Sequence, residues 1–335
     1  MLSISIFDES KRLEKISALG DNLEKLNKVI DWEIFRERIN KVFYREDKGT
    51  GRPPYDYILM FKILVLQRLF NLSDDQTEYQ INDRISFMRF LDLDISSKIP
   101  DAKTIWHFKD ELVKAGVIKE LFDIFQKELE KKNIITHTGS IVDATFIEAP
   151  RQRNDRDENK AIKNGEIPKN WVDENNVNKM RQKDVDARWT IKGNINHYGY
   201  KDHIKVDATS KLILNYEVTS ANVHDSQKLN DLLDDNDKII YADSAYVGIE
   251  LKNKNLENKI LEKGYRNKSL TIEQQINNYE KSKTRCRVEH IFGFITKTMY
   301  GKIIRSIGIK RAEFNIGLTN MIYNMFRCNY LLARN

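Results

Sequence analysis

The sequence predicts an α+β chain, with a helical N-terminal domain over residues 1–131 and a mixed β-sheet domain flanked by helices over residues 132–335. Up to residue 131, apolar residues recur three and four apart and strand-like alternation is scarce, as in amphipathic helices. At Ile134 the pattern changes to IITHTGSIVDATFIEA, rich in Ile, Val and Thr, which reads as an extended strand. From there strand patterns alternate with helical ones, interrupted by a polar insertion at about 151–192.

In the helical part, Pro53 and Pro54 follow the polar segment Glu46–Gly51 and introduce a helix at about Tyr55–Asn71. Its Ile58, Leu59, Phe61, Ile63, Leu66, Leu69 and Phe70 cover a wide arc, which marks a core helix. Ser73 and Gln76 have capping-box spacing and start the next helix, and Ile85–Leu93 reads as a further short one. Asp101 or Thr104 begins another, which carries Trp106, Phe108 and Leu112 and ends at Gly116. Trp106 and Phe108 are expected in the core. Short helices in tandem fit either a helix-turn-helix-like DNA module or a bundle used for dimerisation or packing.

In the sheet part, Asp143 lies between Val142 and Ala144 in the first strand. An acid buried there is costly unless paired, so a partner is expected. Residues 151–192 are polar and poor in aliphatics and read as a long loop or partly ordered insertion, which either orders on DNA or is a solvated excursion over Arg151–Met180. Asp184, Asp186, Trp189 and Lys192 are its less dispensable residues, because Trp189 calls for burial. YGYKDHIKVDATSKLILNYEVTSANVHD reads as a hairpin turning at Asp207–Lys211, with His203 and Lys205 on it. His224 and Asp225 follow at the start of a helix, Asp225–Leu233. They are either a metal- or phosphate-binding pair or a capping Asp225 beside a surface His224.

KIIYADSAYVG is the next strand. Asp243 ends it, and a carboxylate at that end points into the crevice where α/β sheets bind ligands. A helix over Gly248–Glu257, a short strand over Lys259–Lys263, a helix across Lys281–Tyr300 and an amphipathic tail helix over Ala312–Leu332 complete the expected order.

Composition narrows the function classes. With 335 residues, 40% hydrophobic and 32% charged, the chain has room for two domains. The longest apolar run, Ile58–Leu66, is broken by Lys62 and is too short to span a bilayer. MLSISIFDES lacks the basic start and apolar block of a signal peptide. Cys286 and Cys328 are the only cysteines and have no zinc-ligand spacing, which fits a reducing cytosol without a disulfide framework. The net charge of +6 is concentrated near the C-terminus: Lys281–Arg311 holds nine Lys or Arg and one acid, Glu289. Val288, Ile291, Phe292 and Ile295 recur at helical spacing, and Arg285 lies four residues before Glu289, a surface neighbour. Either a polyanion docks at Glu289 or the pair is an ordinary surface salt bridge.

Asp143, Asp243 and Glu289 are thus delivered by two strands and a helix of one domain. Phosphoryl transfer to DNA needs such a set: carboxylates can hold two Mg²⁺, or Mn²⁺ in their place, roughly 3.5–4 Å apart. Magnesium takes oxygen ligands and needs no His or Cys. The basic face around Glu289 would bind the phosphate backbone through counterion release.

VDATFIEAP, SANVHD, YADSAYVG and RCRVEHIFG, in this order, resemble blocks of bacterial insertion-sequence transposases, with the insertion-sequence-5 group of the DDE superfamily the nearest match. The resemblance covers about residues 40–330, and GRPPYDYILMFKILVLQRLFNLSD resembles the family's helical N-terminal domain. It implies an RNase H-like core with Asp143, Asp243 and Glu289 as the three members of the triad. Of the wider motif Tyr-x2-Arg-x3-Glu-x6-Lys, Arg285 and Glu289 match, whereas Ser282 and Thr296 stand at the Tyr and Lys positions, with Lys297 one further. A hairpin cleavage route is therefore not implied. Expected partners are double-stranded DNA at the element ends and the target, and a second copy at least when DNA is bound. Arg285, Arg287, Lys297, Lys192 and His203 are the expected DNA contacts. Two other classes share these features: a DNA-binding regulator without catalysis, and an RNase H-like nuclease, which would give no strand-transfer products.

Overall fold

The computed structural model describes residues 6–44, 53–149, 153–172, 178–266 and 268–334; the segment Glu46–Gly51 lies outside them. The chain divides into two compact units, one of Met1–Lys131 with Met321–Asn335 and one of Lys132–Asn320. The tail, expected with the sheet domain, is therefore shared, its last residues grouping with the helices.

The first unit contains α1 (Ile6–Ala18), α2 (Asn22–Val29), a 3₁₀ turn at Trp32–Phe35, α3 (Arg36–Phe43), α4 (Tyr57–Leu69), α5 (Asp74–Asp83), α6 (Ile85–Phe90), α7 (Ala102–Ala115) and α8 (Ile118–Lys131). α4 is the core helix: Ile58, Met60, Phe61, Ile63, Leu64, Val65, Leu66 and Leu69 are buried, each worth roughly 1.5–3 kcal/mol of transfer free energy. Phe61 packs on Phe35 with ring centroids 5.0 Å apart, and Phe35 on Phe125 at 6.3 Å. Lys62, within this apolar helix, keeps its charge satisfied by reaching Asp92 Oδ2 at 2.6 Å. The local signals form as the sequence reads. Ser73 and Gln76 make both bonds of a capping box, Asp101 caps α7 by accepting the Thr104 N–H, and Gly116 ends α7 in the left-handed conformation (φ 65°). Phe108 is buried, but Trp106 is 49% exposed, which corrects its expected place in the core.

The second unit opens with β1 (Ser140–Glu148), followed by α9 (Arg156–Lys163), a 3₁₀ turn at Lys169–Trp171, α10 (Lys179–Gln182), β2 (Arg188–Lys192), β3 (Ile195–Asp207) and β4 (Ile213–Ser220). A 3₁₀ turn at Asp225–Lys228, α11 (Leu229–Leu232), β5 (Ile239–Ala242), a 3₁₀ turn at Ser244–Tyr246 and β6 (Glu257–Asn258) come next. α12 (Ile272–Arg285), α13 (Val288–Thr298) and α14 (Ile309–Leu332) complete the chain. The strands form one mixed sheet in the order β2-β3-β1-β5-β6, with β4 also on β3. β1 is antiparallel to β3 and parallel to β5, and β5 is parallel to β6. This is the expected α+β architecture of an RNase H-like core. Beneath β1 and β5, Val142, Ile240 and Ala242 pack with Leu229, Leu232, Tyr246, Leu256 and Ile260.

Four sequence expectations need correction. The insertion holds buried groups, Asn154, Glu158, Trp171, Lys183 and Asp184, so its described part folds around polar side chains that a hydropathy pattern counts as solvent-facing. Its end also fixes the start of α14: Asp184 Oδ2 accepts the Gly308 N–H at 3.2 Å and Asp186 Oδ2 the Ile309 N–H at 2.9 Å. No helix forms over Gly248–Glu257; Gly248 is left-handed (φ 85°) and Asn253 accepts the Asn255 N–H in a local turn, so this stretch loops before β6. The expected strand Lys259–Lys263 is reduced to β6, Glu257–Asn258. Finally, the helix across Lys281–Tyr300 is two helices that meet at Cys286–Arg287, and the first starts at a Thr271/Gln274 capping box.

Candidate active site

β1 and β5 run in parallel register, with Ser140 opposite Ile240, Ile141 opposite Tyr241 and Val142 opposite Ala242. Side chains alternate along a strand, so Asp143 leaves the sheet on the face of Ile141 and Tyr241, opposite that of Val142 and its cluster. Asp243 directly follows the Ala242 rung and is still extended (φ −76°, ψ 175°), which continues the same alternation. The two aspartates thus follow the Val142–Ala242 rung side by side on one face.

Backbone N–H groups anchor both. Asp143 Oδ1 accepts the Ala144 N–H at 2.8 Å, and Asp243 Oδ1, capping the turn Ser244–Tyr246, accepts the Ala245 N–H at 2.8 Å. Asp143 is 8% exposed, and its expected partner is Arg285, whose Nη1 donates to Asp143 Oδ2 at 3.0 Å. Arg285 is the last residue of α12, and its Nη2 lies 3.7 Å from Glu289 Oε1 in the first turn of α13. One guanidinium therefore faces two acids, the buried Asp143 and the exposed Glu289. Arg285 Nε is buried and has no hydrogen-bond partner among the described residues.

Burial pushes the Asp143 carboxyl up from 3.8 to about 6; the Ala144 N–H and Arg285 pull it down, and the charges of Asp243 and Glu289 push it further up. Asp243 and Glu289 thus both lie within electrostatic reach of Asp143. Among the described residues, no three His, Cys, Asp or Glu side chains gather into a group able to hold a metal ion. The donors present are carboxylate oxygens, the type a hard divalent cation takes, and their mutual repulsion is what such a cation would relieve. Tyr246, three residues after Asp243, was not singled out from the sequence. Its buried hydroxyl has no hydrogen-bond partner among the described residues, and burial, Asp225, Asp143 and Asp243 all raise its pKa.

The expected DNA contacts separate. Lys297 is exposed, and Lys192, 56% exposed, holds its Nζ 5.7 Å from the centre of the Phe146 ring. Arg287 is partly buried and donates from Nη1 to the Ala208 carbonyl at 2.7 Å, beside the turn between β3 and β4. His203 is corrected. It is fully buried opposite Ala144 on the Val142 face of the sheet, with Nε2 2.8 Å from Thr219 Oγ1. Burial lowers its pKa to about 4, so it is neutral and has no surface for a phosphate. His224 and Asp225 also exchange their expected roles: His224 caps the turn at Asp225–Lys228, while Asp225 is buried against Lys201 Nζ at 2.8 Å.

Among the described residues no helix is long and apolar enough to cross a membrane. The family model described as transposase DDE domain matches residues 135–325, and the one described as transposase domain (DUF772) matches residues 11–111. No solved structure matches the chain.

Proposed function

The chain belongs to the transposase DDE-domain family, whose model spans more than half of it, and from that membership we propose that it cuts and joins the ends of an insertion sequence of the insertion-sequence-5 group. The observation that carries this reading is the placement of Asp143 and Asp243 on adjacent parallel strands, with Glu289 linked to Asp143 through Arg285.

Asp143, Asp243 and Glu289 would hold two Mg²⁺, which Mn²⁺ can replace, and these supply Lewis acidity at the attacking and leaving oxygens of the phosphodiester. The backbone bonds to Asp143 Oδ1 and Asp243 Oδ1 fix both carboxylates before substrate arrives, which lowers the cost of ordering the site. Arg287, Lys297 and Lys192 neutralise backbone phosphates, and the helical N-terminal domain reads the terminal inverted repeats and supports a homodimer on DNA. Water breaks the P–O bond at each element end and leaves a 3′-hydroxyl. That hydroxyl then forms a P–O bond in the target as the target's own P–O bond breaks, without a covalent protein–DNA intermediate. The reaction takes place on nucleoid DNA in the cytoplasm.

The test is cleavage of a supercoiled plasmid carrying the DNA that flanks the reading frame on both sides. Asp143→Asn, Asp243→Asn and Glu289→Gln should each lower cleavage by roughly 100-fold or more, since even losing a group that only supports a metal ligand costs 10–100-fold. Gel shifts with the same DNA should be nearly unchanged. Full cleavage by Asp143→Asn would sink the assignment.

A further inference from the structure

Arg285 holds Asp143 Oδ2 at 3.0 Å from Nη1 and faces Glu289 Oε1 at 3.7 Å from Nη2. Both acids are proposed metal ligands, and both are engaged by one organic cation. We propose that Arg285 competes with divalent metal for Asp143 and Glu289, so that the site takes metal tightly only once this guanidinium has been displaced. The inference rests on the metal-site reading above and goes beyond it.

Two further observations support competition over a permanent supporting role. First, Arg285 is incompletely satisfied where it stands. Guanidinium groups bind best through two parallel N–H donors, yet Nε is buried without a partner among the described residues and Nη2 is beyond hydrogen-bond distance of Glu289. Among the described residues only the Nη1 bond to Asp143 is short, so the group is held there by one good contact. Because Nε is buried, it gains a partner only if the side chain moves, and a phosphate oxygen is the acceptor its planar edge suits. Second, Arg285 sits beside the joint between α12 and α13 at Cys286–Arg287, where its chain direction is set by a turn and not by the middle of a helix.

The experiment titrates Mn²⁺ alone into the whole chain at pH 8 and reads free Mn²⁺ by electron paramagnetic resonance. Arg285→Gln should bind Mn²⁺ roughly tenfold tighter than the parent, and Arg285→Lys, which keeps a charge but cannot face both acids with a planar fork, should fall between. Arg287→Gln, which removes an equal charge nearby, should leave affinity close to the parent's. Equal or weaker binding by Arg285→Gln overturns the competition, and so does an equal gain in Arg287→Gln, because long-range charge then explains the effect. Asp143→Asn separates the two layers: undiminished Mn²⁺ binding there overturns the metal site itself. Thermal unfolding of each variant verifies that it is folded. If Arg285→Gln does not fold, Arg285→Lys decides, and affinity equal to or below the parent's overturns the proposal.

Discussion

Lys183 Nζ lies 2.7 Å from Glu158 Oε2 inside the polar insertion, with the two side chains 8% and 3% exposed. The other Glu158 oxygen accepts the Trp171 Nε1–H at 2.7 Å. A segment that reads as a solvated loop thus has a buried ion pair at its centre.

Breaking such a pair leaves an uncompensated buried charge, so Glu158→Gln should destabilise the part of the chain that unfolds with it by about 3 kcal/mol. Burial raises the Glu158 carboxyl, but bonds from Lys183, Trp171 and Asp155 outweigh it and hold the group down from 4.5 to about 2. A depressed carboxyl stabilises above its unfolded value and loses that contribution as pH falls through the folded one. The stability gap between the parent and Glu158→Gln, measured by urea unfolding followed by tryptophan fluorescence, should therefore be full at pH 6 and shrink between about pH 4.5 and pH 2. A gap independent of pH would show that the pair does not form.

Asp143 has the opposite sign. Its carboxyl rises from 3.8 to about 6, so its ionisation above pH 6 costs folding free energy, up to about 3 kcal/mol at 1.36 kcal/mol per pH unit. Asp143→Asn should raise the melting temperature at pH 8, and the gain should vanish as pH falls from 6 towards 3.8. Scanning calorimetry at three pH values measures this. A lower melting temperature for Asp143→Asn at pH 8 would mean that Arg285 offsets the burial cost entirely.

The exposed and buried cations should part company in DNA binding. Lys297→Ala should weaken binding to every duplex alike and reduce the slope of log K against log salt by about 0.9, the value for one phosphate contact. His203→Gln should leave the slope unchanged, because His203 has no exposed surface. Fluorescence anisotropy over a range of salt concentrations reads both, and an altered slope in His203→Gln would contradict its burial.

Gly199 sits where β3 pairs with Glu148 at the end of β1, with φ 149°. A Cβ there would collide with the Ile147 carbonyl oxygen and stand 2.8 Å from the Ala149 nitrogen. Gly199→Ala should destabilise by clearly more than Gly193→Ala and loosen the strand that carries Asp143, because Gly193, at the open tip of the β2–β3 hairpin, adds only the left-handed backbone strain (φ 56°) of about 1 kcal/mol without a clash. Circular-dichroism melts of the two variants compare them, and equal melts would remove the steric argument.

The parts of the site carried by strands could be read from the sequence. IVDATFI and IIYAD each join an apolar strand to one acid, and burial of the strand fixes where the acid points. The Ser73/Gln76 capping box was legible because it depends on two residues three apart. The interior of the insertion was not, since Asn154, Glu158, Lys183 and Asp184 are buried through mutual bonds that no hydropathy pattern records. The hairpin of β2 and β3 did leave a signal, the adjacent Gly193 and Asn194, both left-handed. His203 was misplaced because β3 is buried on both faces while carrying Lys201, His203 and Lys205, so polarity there did not mean exposure. The break at Cys286 has no glycine or proline to announce it.

Met321, Ile322, Met325 and Cys328, buried near the end of α14, belong to the same compact unit as the first 131 residues. During synthesis they leave the ribosome only after the whole sheet unit has emerged. The helical unit is therefore begun before the sheet unit and completed after it, and a nascent or prematurely terminated chain can present its early helices but not the finished unit. A stop codon shortly before Met321 would thus damage the beginning of the protein as well as its end.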